Sequence, residues 1–439
     1  MSNISRLMNL AAAGAGGGSY WISLLGGTGS DIANGVTIDS SDNIIVVGYT
    51  DDGGGGQDAL IAQYNSSGIL QWDRTLAGTS SDIANGVAVD SSDNIIVGAS
   101  TSSDGAGSAD ALIAKYNSSG VLQWDRTLGG TSSDYANGVT IDSSDNIIIA
   151  GRCSSDGAGG ADFLIAKYNP SGVLQWDKTL GGTGTDIANG VTIDSSDNII
   201  VVGQSNSDGS FYDVIVAKYN SSGVLQWDKV YGVNGSHNEI GYGVATDSSD
   251  NIIIVGTTPA AGAGSNDAFI AKYNSSGVLQ WGRVLGGTGY EIGYGVATDS
   301  SDNIIVVGRT DSDGAGTNDF LIAQYNSSGV LQWDRTLGGT GQEVGNDVAI
   351  DSSDNIIVVG RTDSDGAGSN DAFIAKLPSD GSLEGTYGAY TYAEAVLTDA
   401  AAGLPSAAAG LTDAAAVLTD APAVLTDAPA GLTEELIEL

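Results

Sequence analysis

The sequence predicts an all-β chain: a seven-bladed β-propeller of four-stranded blades, closed by its N-terminal strand and followed by a low-complexity heptad-repeat tail. Three observations carry this. Tryptophan recurs at Trp21, Trp72, Trp124, Trp176, Trp227, Trp281 and Trp333, in steps of 51, 52, 52, 51, 54 and 52 residues. The hexapeptide Asp-Ser-Ser-Asp-Asn-Ile begins at Asp39, Asp90, Asp142, Asp194, Asp247, Asp299 and Asp351. No helical period of apolar residues runs through these repeats. Two markers with one period and one count mean seven copies of one unit, and such a unit buries its apolar face only against its neighbours.

Each element of the unit has a local reason. Gly138-Val-Thr-Ile-Asp142 alternates apolar and polar, as a half-buried strand does. Ser143-Ser-Asp-Asn146 reads as a turn, with Asp and Asn capping their own backbone and Asn supplying the positive φ. Ile147-Ile-Ile-Ala-Gly151 is a β-branched run suited to a strand buried on both faces. A Gly-rich loop leads to a third strand, Asp162-Phe-Leu-Ile-Ala-Lys-Tyr168. Asn169-Pro-Ser-Gly172 turns the chain into the fourth strand, Val173-Leu-Gln-Trp-Asp-Lys-Thr-Leu180. Four antiparallel strands repeated seven times describe a propeller; the alternative, a β-solenoid, has shorter coils and rarely three hairpin turns. Each Trp sits in a fourth strand and reads as an apolar plug between blades.

Closure follows from the ends of the array. Ser19-Tyr-Trp-Ile-Ser-Leu-Leu25 matches a fourth strand, whereas the array stops after a third strand, Asp371-Ala-Phe-Ile-Ala-Lys376. The N-terminal strand is therefore expected to complete the last blade and remove the free edge. This divides the chain into a docking segment and Gly-rich linker (1–18), the propeller (19–376), a linker (377–395) and a Leu-heptad assembly tail (396–439). In the N-terminal segment, Arg6, a short apolar run and small residues faintly match a leader. Ile4, Leu7, Met8 and Leu10 are read instead as an apolar docking element.

Composition excludes several functions. The net charge is −38, from 15 basic and 53 acidic residues. Phosphate-backbone binding needs clustered Lys and Arg, so nucleic acid and anionic membranes are poor partners. No apolar run reaches the roughly 18 residues of a membrane-spanning helix. The single cysteine, Cys153, permits no intrachain disulfide, and the single histidine, His237, lies in another unit. No Ser-His-Asp or Cys-His arrangement emerges, and no carboxylate pair stands out. A sialidase-type site would need an arginine cluster; Arg152, Arg309 and Arg361 share one equivalent position in three units and read as inherited. No cofactor is expected.

Propeller loops alternate between two faces. The turns after the first and third strands barely vary, and the Asn-Ser-Ser sequons at Asn65, Asn117, Asn220, Asn274 and Asn326 coincide with the latter. The loops after the second and fourth strands diverge: compare Gln204-Ser-Asn-Ser-Asp-Gly-Ser-Phe-Tyr212 with Thr257-Thr-Pro-Ala-Ala261. The variable face is expected to gather Tyr135, Phe211, Tyr212, His237, Tyr242, Tyr290 and Tyr294. Rings that stack on pyranose faces, with amides and carboxylates for hydroxyls, suit a glycan; drift after duplication is the alternative. Calcium is the one candidate metal. The Asp-Ser-Asp-Gly loops offer Asp311, Asp313 and Asp319, and Asp363, Asp365 and Asp371, as oxygen ligands around a bend. The pattern decays in other units and lacks a closing Glu.

In the tail, Leu recurs every seven residues from Leu397 to Leu439. Leu at one heptad position and Ala at another suggest a thin coiled coil or helical stalk. Pro405, Pro422 and Pro429 break a continuous helix, so short capped helical turns are expected, laid in sequence against a partner or sister tails.

The combined unit, Trp-x3-Leu-Gly-Gly through Asp-x2-Asp-Asn-Ile to Ile-Ala-Lys-Tyr-Asn, resembles the bacterial seven-bladed β-propeller repeat family over roughly Ser19 to Ala375. That resemblance implies the fold and an extracellular or surface setting, with no enzyme and no set site residues. The apolar N-terminus, the low-complexity tail and the acidic array loosely resemble structural proteins of tailed phages. The expectation is a non-enzymatic virion appendage, anchored through its termini to other virion proteins or copies of itself and touching a host glycan. The alternative is a bacterial surface or secreted adhesin.

Overall fold

The computed structural model describes residues 6–10, 20–51, 56–157, 159–207, 211–231, 237–259, 265–366 and 368–402, and the strands 406–407, 412–414, 419–421, 426–428 and 433–437. Every regular element among them is a strand. The inner strands of blades 1 to 7 are Ile32–Ile38, Asp82–Val89, Asp134–Ile141, Asp186–Ile193, Ile240–Thr246, Glu291–Thr298 and Glu343–Ile350. The outer strands of blades 1 to 6 are Leu70–Ala77, Leu122–Gly129, Leu174–Gly181, Leu225–Tyr231, Leu279–Gly286 and Leu331–Gly338. The outer strand of blade 7 is Tyr20–Gly26, paired from Trp21 opposite Lys376 to Leu25 opposite Ala372. The N-terminal strand thus closes the ring, and 32–377 is spanned by one continuous circuit of blades.

The β-branched runs in the second and third strands are buried on both sides because each blade is sandwiched between two others. Ile199, Ile200, Val201 and Val202 are all fully buried. Ile200 and Val202 join the core with blade 5, while Ile199 and Val201 join the core with blade 3. The alternation of side chains in a strand therefore feeds two cores at once.

Inter-blade order is set by the repeated hexapeptide. Its first Asp caps the turn: Asp142 Oδ1 accepts the N–H of Ser144 and Asn146, both at 2.9 Å. Its first Ser reaches the next blade: Ser143 donates its N–H to Asp197 Oδ1 at 2.9 Å and its hydroxyl to Asp197 Oδ2 at 2.6 Å. The same pair of hydrogen bonds joins Ser40 to Asp93, Ser91 to Asp145, Ser195 to Asp250, Ser248 to Asp302 and Ser300 to Asp354. The left-handed residue is the second Asp, with φ of 61° at Asp145, and not Asn146 as the sequence suggested. Asn146 instead binds Asp142 through its amide.

A second tie uses lysine. Lys115, Lys167, Lys218, Lys272 and Lys376 each pair at 2.7 Å with the first Asp of their own blade's turn. Each also donates to a turn carbonyl of the following blade, as Lys167 does to Ser221 at 3.0 Å. Burial pushes the carboxyls of Asp90, Asp142, Asp194, Asp247 and Asp351 up, but the lysine, the Asn amide and the turn N–H groups outweigh it and hold them below the ordinary range.

Trp21 is fully buried, whereas the other six tryptophans are half-buried at the rim, each against the next blade's third turn. Gly172 (φ 75°) lies under Trp124, where a Cβ would come within 2.9 Å of the ring. Arg126 lies 5.9 Å over that ring and donates from Nε to the Gly172 carbonyl at 3.2 Å.

The segment beyond blade 7 runs back round the ring. A hairpin, Gly385–Tyr387 and Tyr390–Glu394, adds to the outer edge of blade 6, where a plain linker was expected. Thr398–Ala401 adds to blade 5, Ser406–Ala407 to blade 4, Thr412–Ala414 to blade 3, Thr419–Ala421 to blade 2 and Thr426–Ala428 to blade 1. Thr433–Ile437 then meets blade 7, pairing with both Tyr20–Gly26 and Arg6–Leu10. The register repeats: Asp399 faces Leu285, Asp413 faces Leu180, Asp420 faces Leu128 and Asp427 faces Leu76. The described residues of this segment are strands, not the helical turns expected. Seven residues here measure one step from blade to blade, not two turns of helix. Leu397 packs on the core between blades 5 and 6; the six later heptad leucines lie outside the described residues.

Candidate functional site

The inner strands begin earlier than the sequence suggested, at Asp134 and not Gly138 in blade 3, and each carries a β-bulge. The bulged residues, Asn34, Asn85, Asn137, Asn189, Tyr242, Tyr294 and Asn346, face the axis and line a central cavity of about 190 Å³. Asn34, Asn85, Asn137, Asn189 and Asn346 each donate Nδ2 to a carbonyl of the following blade, at 2.8 or 2.9 Å. After the bulge six blades have Gly, and blade 7 has Asp347. Asp347 accepts the N–H of Val36 at 3.0 Å and of Val348 at 2.9 Å, and burial pushes its carboxyl up to about 6.

This geometry divides the seven aromatic and histidine candidates. Tyr135, Tyr242 and Tyr294 are strand residues, not loop residues; glycines flanking the bulge disguised the strand. Tyr242 and Tyr294 stack across adjacent blades with centroids 4.9 Å apart. Tyr135 lies under Arg152, 4.1 Å from its ring centroid. Phe211 and His237 do meet. With Asn238, Ile240, Thr257, Pro259 and Asn266 they line a cavity of about 350 Å³ where blades 4 and 5 join. Tyr212 holds the two loops together, donating its N–H to Asn238 Oδ1 at 2.9 Å and accepting the Glu239 N–H at 2.8 Å. Tyr290 is exposed and bridges to Asn266 at the blade 6 side.

The chemistry of that cavity is one exposed aromatic face, an imidazole, two amides and a hydroxyl, with no carboxylate among the described residues that line it. Phe211 keeps 38% of its surface in solvent, whereas Phe163, Phe269, Phe320 and Phe373, inside third strands, are buried. The sequence signal for it was the divergence of the two flanking loops; Asn266 carried none.

The six calcium candidates cap loop backbone. Asp311 accepts the Tyr290 N–H and Asp363 the Gln342 N–H. Asp313 binds Gly314 and Val396, and Asp365 binds Gly366. Asp319 and Asp371 are buried and accept the N–H of Gly316 and Gly368. Among the described residues no three metal-ligating side chains of the acidic, His or Cys type converge. Burial and the neighbouring Glu343 push Asp319 up to about 6. Cys153 is buried, and burial with the adjacent Asp134 pushes its thiol up to about 12, far from a reactive thiolate.

Comparison with known proteins agrees on the architecture. Residues 40–70, 300–331 and 352–387 match the family described as "Domain of unknown function (DUF5122) beta-propeller". A WD repeat-containing protein of Acanthamoeba polyphaga mimivirus, L264, is 24% identical over 77% of this chain and 31% of its own length. The regulatory protein FlaEY of Caulobacter vibrioides is 25% identical over 78% of this chain and 44% of its own. The chain thus spans less than half the length of these curated relatives. Virginiamycin B lyase from Staphylococcus aureus is similar over 82% of this chain and 99% of its own, at 11% identity and a TM-score of 0.49.

Proposed function

We propose that the chain is a non-enzymatic display propeller that binds a neutral carbohydrate at the junction of blades 4 and 5. The observation that carries this reading is the cavity of about 350 Å³ in which Phe211 and His237 meet beside Asn238, Thr257 and Asn266. An aromatic face packs against the C–H side of a pyranose, and amides with a hydroxyl bind its hydroxyls. The size lies at the lower end of small-ligand sites, which suits one or two sugar rings. A single-site affinity would be weak, so display in many copies would be needed for firm attachment.

The setting we infer is a virion, with the propeller facing a host surface and the termini, with other virion proteins or other copies of the chain, holding it in place. A viral relative and the closed, edge-covered ring support this reading. A bacterial surface or secreted adhesin is the alternative. A glycan array with intact protein tests the binding: Phe211→Ala and Asn238→Ala are expected to remove the signal, and an array without hits sinks the reading. Mass spectrometry of purified particles separates the virion from the adhesin.

A further inference from the structure

The arginines on blades 6 and 7 are out of keeping with the rest of the chain. In a protein of 53 acidic and 15 basic residues, most cations are used within the fold. The outer-strand arginines stack on tryptophan or meet an acid, and the third-strand lysines pair with aspartate. Among the described residues, neither Arg309 nor Arg361 is ion-paired, and Arg309 Nε is buried without a hydrogen-bond partner. A buried guanidinium donor without an acceptor is costly.

The two arginines occupy the same position in neighbouring blades, opposite Ile292 and Val344 of the inner strands. On the axis, in the inner strands of blades 5 and 6, stand Tyr242 and Tyr294. Burial pushes both phenols up, and the charge of Arg309 acts against that shift on both, joined by Arg361 on Tyr294. The acids that begin these strands are engaged elsewhere. Glu291 binds the Gly287 N–H and the Thr310 hydroxyl, and Glu343 the Gly339 N–H and the Thr362 hydroxyl. Asp347 has both oxygens on backbone N–H groups. What remains is a set of donors: two guanidinium forks and two phenol hydroxyls.

We propose that Arg309, Arg361, Tyr242 and Tyr294 form a carboxylate-binding site on the propeller axis. The planar fork of arginine matches a carboxylate in two parallel hydrogen bonds, and the phenols supply further donors. Tyr242 and Tyr294 line the central cavity of about 190 Å³; Arg309 and Arg361, on the second strands, stand outside that lining, so the carboxylate would sit at the rim of the cavity with the rest of a larger ligand on the loop face. The ligand is a small organic acid or the carboxylate of an acidic sugar. This site is separate from the cavity at Phe211 and does not depend on the reading given to it.

Isothermal titration of the full chain carrying Phe211→Ala, which removes the neutral-sugar cavity, with sodium glucuronate, sodium acetate and glucose tests the site, at about 0.15 M salt to screen the net charge over roughly 8 Å. Saturable binding of glucuronate without glucose is expected; acetate binding as well identifies the carboxylate alone as sufficient, and its failure identifies an acidic sugar. Arg309→Gln and Arg361→Gln should each weaken binding at least about tenfold, while Arg152→Gln leaves it unchanged. If circular dichroism shows either Gln variant unfolded, Arg309→Lys and Arg361→Lys keep the charge without the fork and should show the same loss. Glucuronate and acetate heats no larger than those of glucose overturn the proposal, as do arginine variants that bind like the parent protein.

Discussion

Ser352 donates its hydroxyl to Asp42 at 2.6 Å and its N–H to the same carboxylate at 3.0 Å, across 310 residues of chain. The contact is the seventh rung of the ladder between hexapeptide turns, and it falls at the junction where blade 7 meets blade 1. Asn346 and Asp347 cross the same junction, to the Ala33 carbonyl and the Val36 N–H. Only here must the ring be held without a covalent link between inner strands.

Removing the Asp42 side chain is therefore expected to loosen this junction first. Asp42→Ala loses two acceptors and a residue type that tolerates φ of 59°, at about 1–3 kcal/mol. Asp145→Ala removes the same contact between blades 2 and 3 and should cost a similar amount in urea melts. Hydrogen exchange should separate them: faster exchange in 20–26 and 343–362 for Asp42→Ala alone. Equal exchange in both variants would mean that the junction is no weaker than the rest.

Two sets of carboxyls predict a stability maximum on the acid side of neutral. Asp90, Asp142, Asp194, Asp247 and Asp351 have folded pKa values below the ordinary 3.8, so their stabilisation is complete above about pH 4 and is lost as pH falls further. Asp319, Asp334 and Asp347 are raised by burial to about 6. Their contribution is complete below about pH 4 and disappears as pH rises through 6. Thermal melts should peak between these limits, and Asp319→Asn should flatten the fall toward pH 7. An unchanged profile in that variant would assign the slope to general self-repulsion of the −38 charge.

Gly223 has φ of 76°, and a Cβ there would meet the Trp176 ring at 2.9 Å. Gly223→Ala is expected to cost about 1–3 kcal/mol through left-handed strain and the displaced indole. A urea midpoint like that of the parent protein would show that Trp176 moves aside freely.

The returning segment covers one outer edge in each of seven blades. Deleting 403–439 should leave a folded propeller whose outer strands 70–77, 122–129, 174–181 and 225–231 exchange faster and whose solutions self-associate. A monomeric truncation with unchanged exchange would show that the edges are protected without it.

The ring was legible because its constraints are side-chain constraints. Trp124 must meet Gly172, and Ser143 must meet Asp197, so both motifs recur with the blade period. The returning segment was legible only as a period. Its pairs, such as Thr419 with Gly129 and Asp420 with Leu128, are backbone bonds that leave no apolar alternation in two or three residues. A spacing of seven without alternation reads as helix. Tyr242 and Tyr294 were misplaced for a related reason: a bulge breaks the two-residue period and looks like a loop. Phe211 and His237 stood out in the sequence because they sit where the copies stop resembling one another.

The circumferential segment also couples two counts that are usually free to change separately. Internal duplication or loss of a blade is an easy event in a gene made of near-identical units. Here each blade meets one strand of a tail whose own period is seven residues, read in the opposite direction round the ring. A gene that gained a blade without gaining a heptad would encode a hoop too short for its barrel. The two repeats, one of about 52 residues and one of seven, have to be inherited in step.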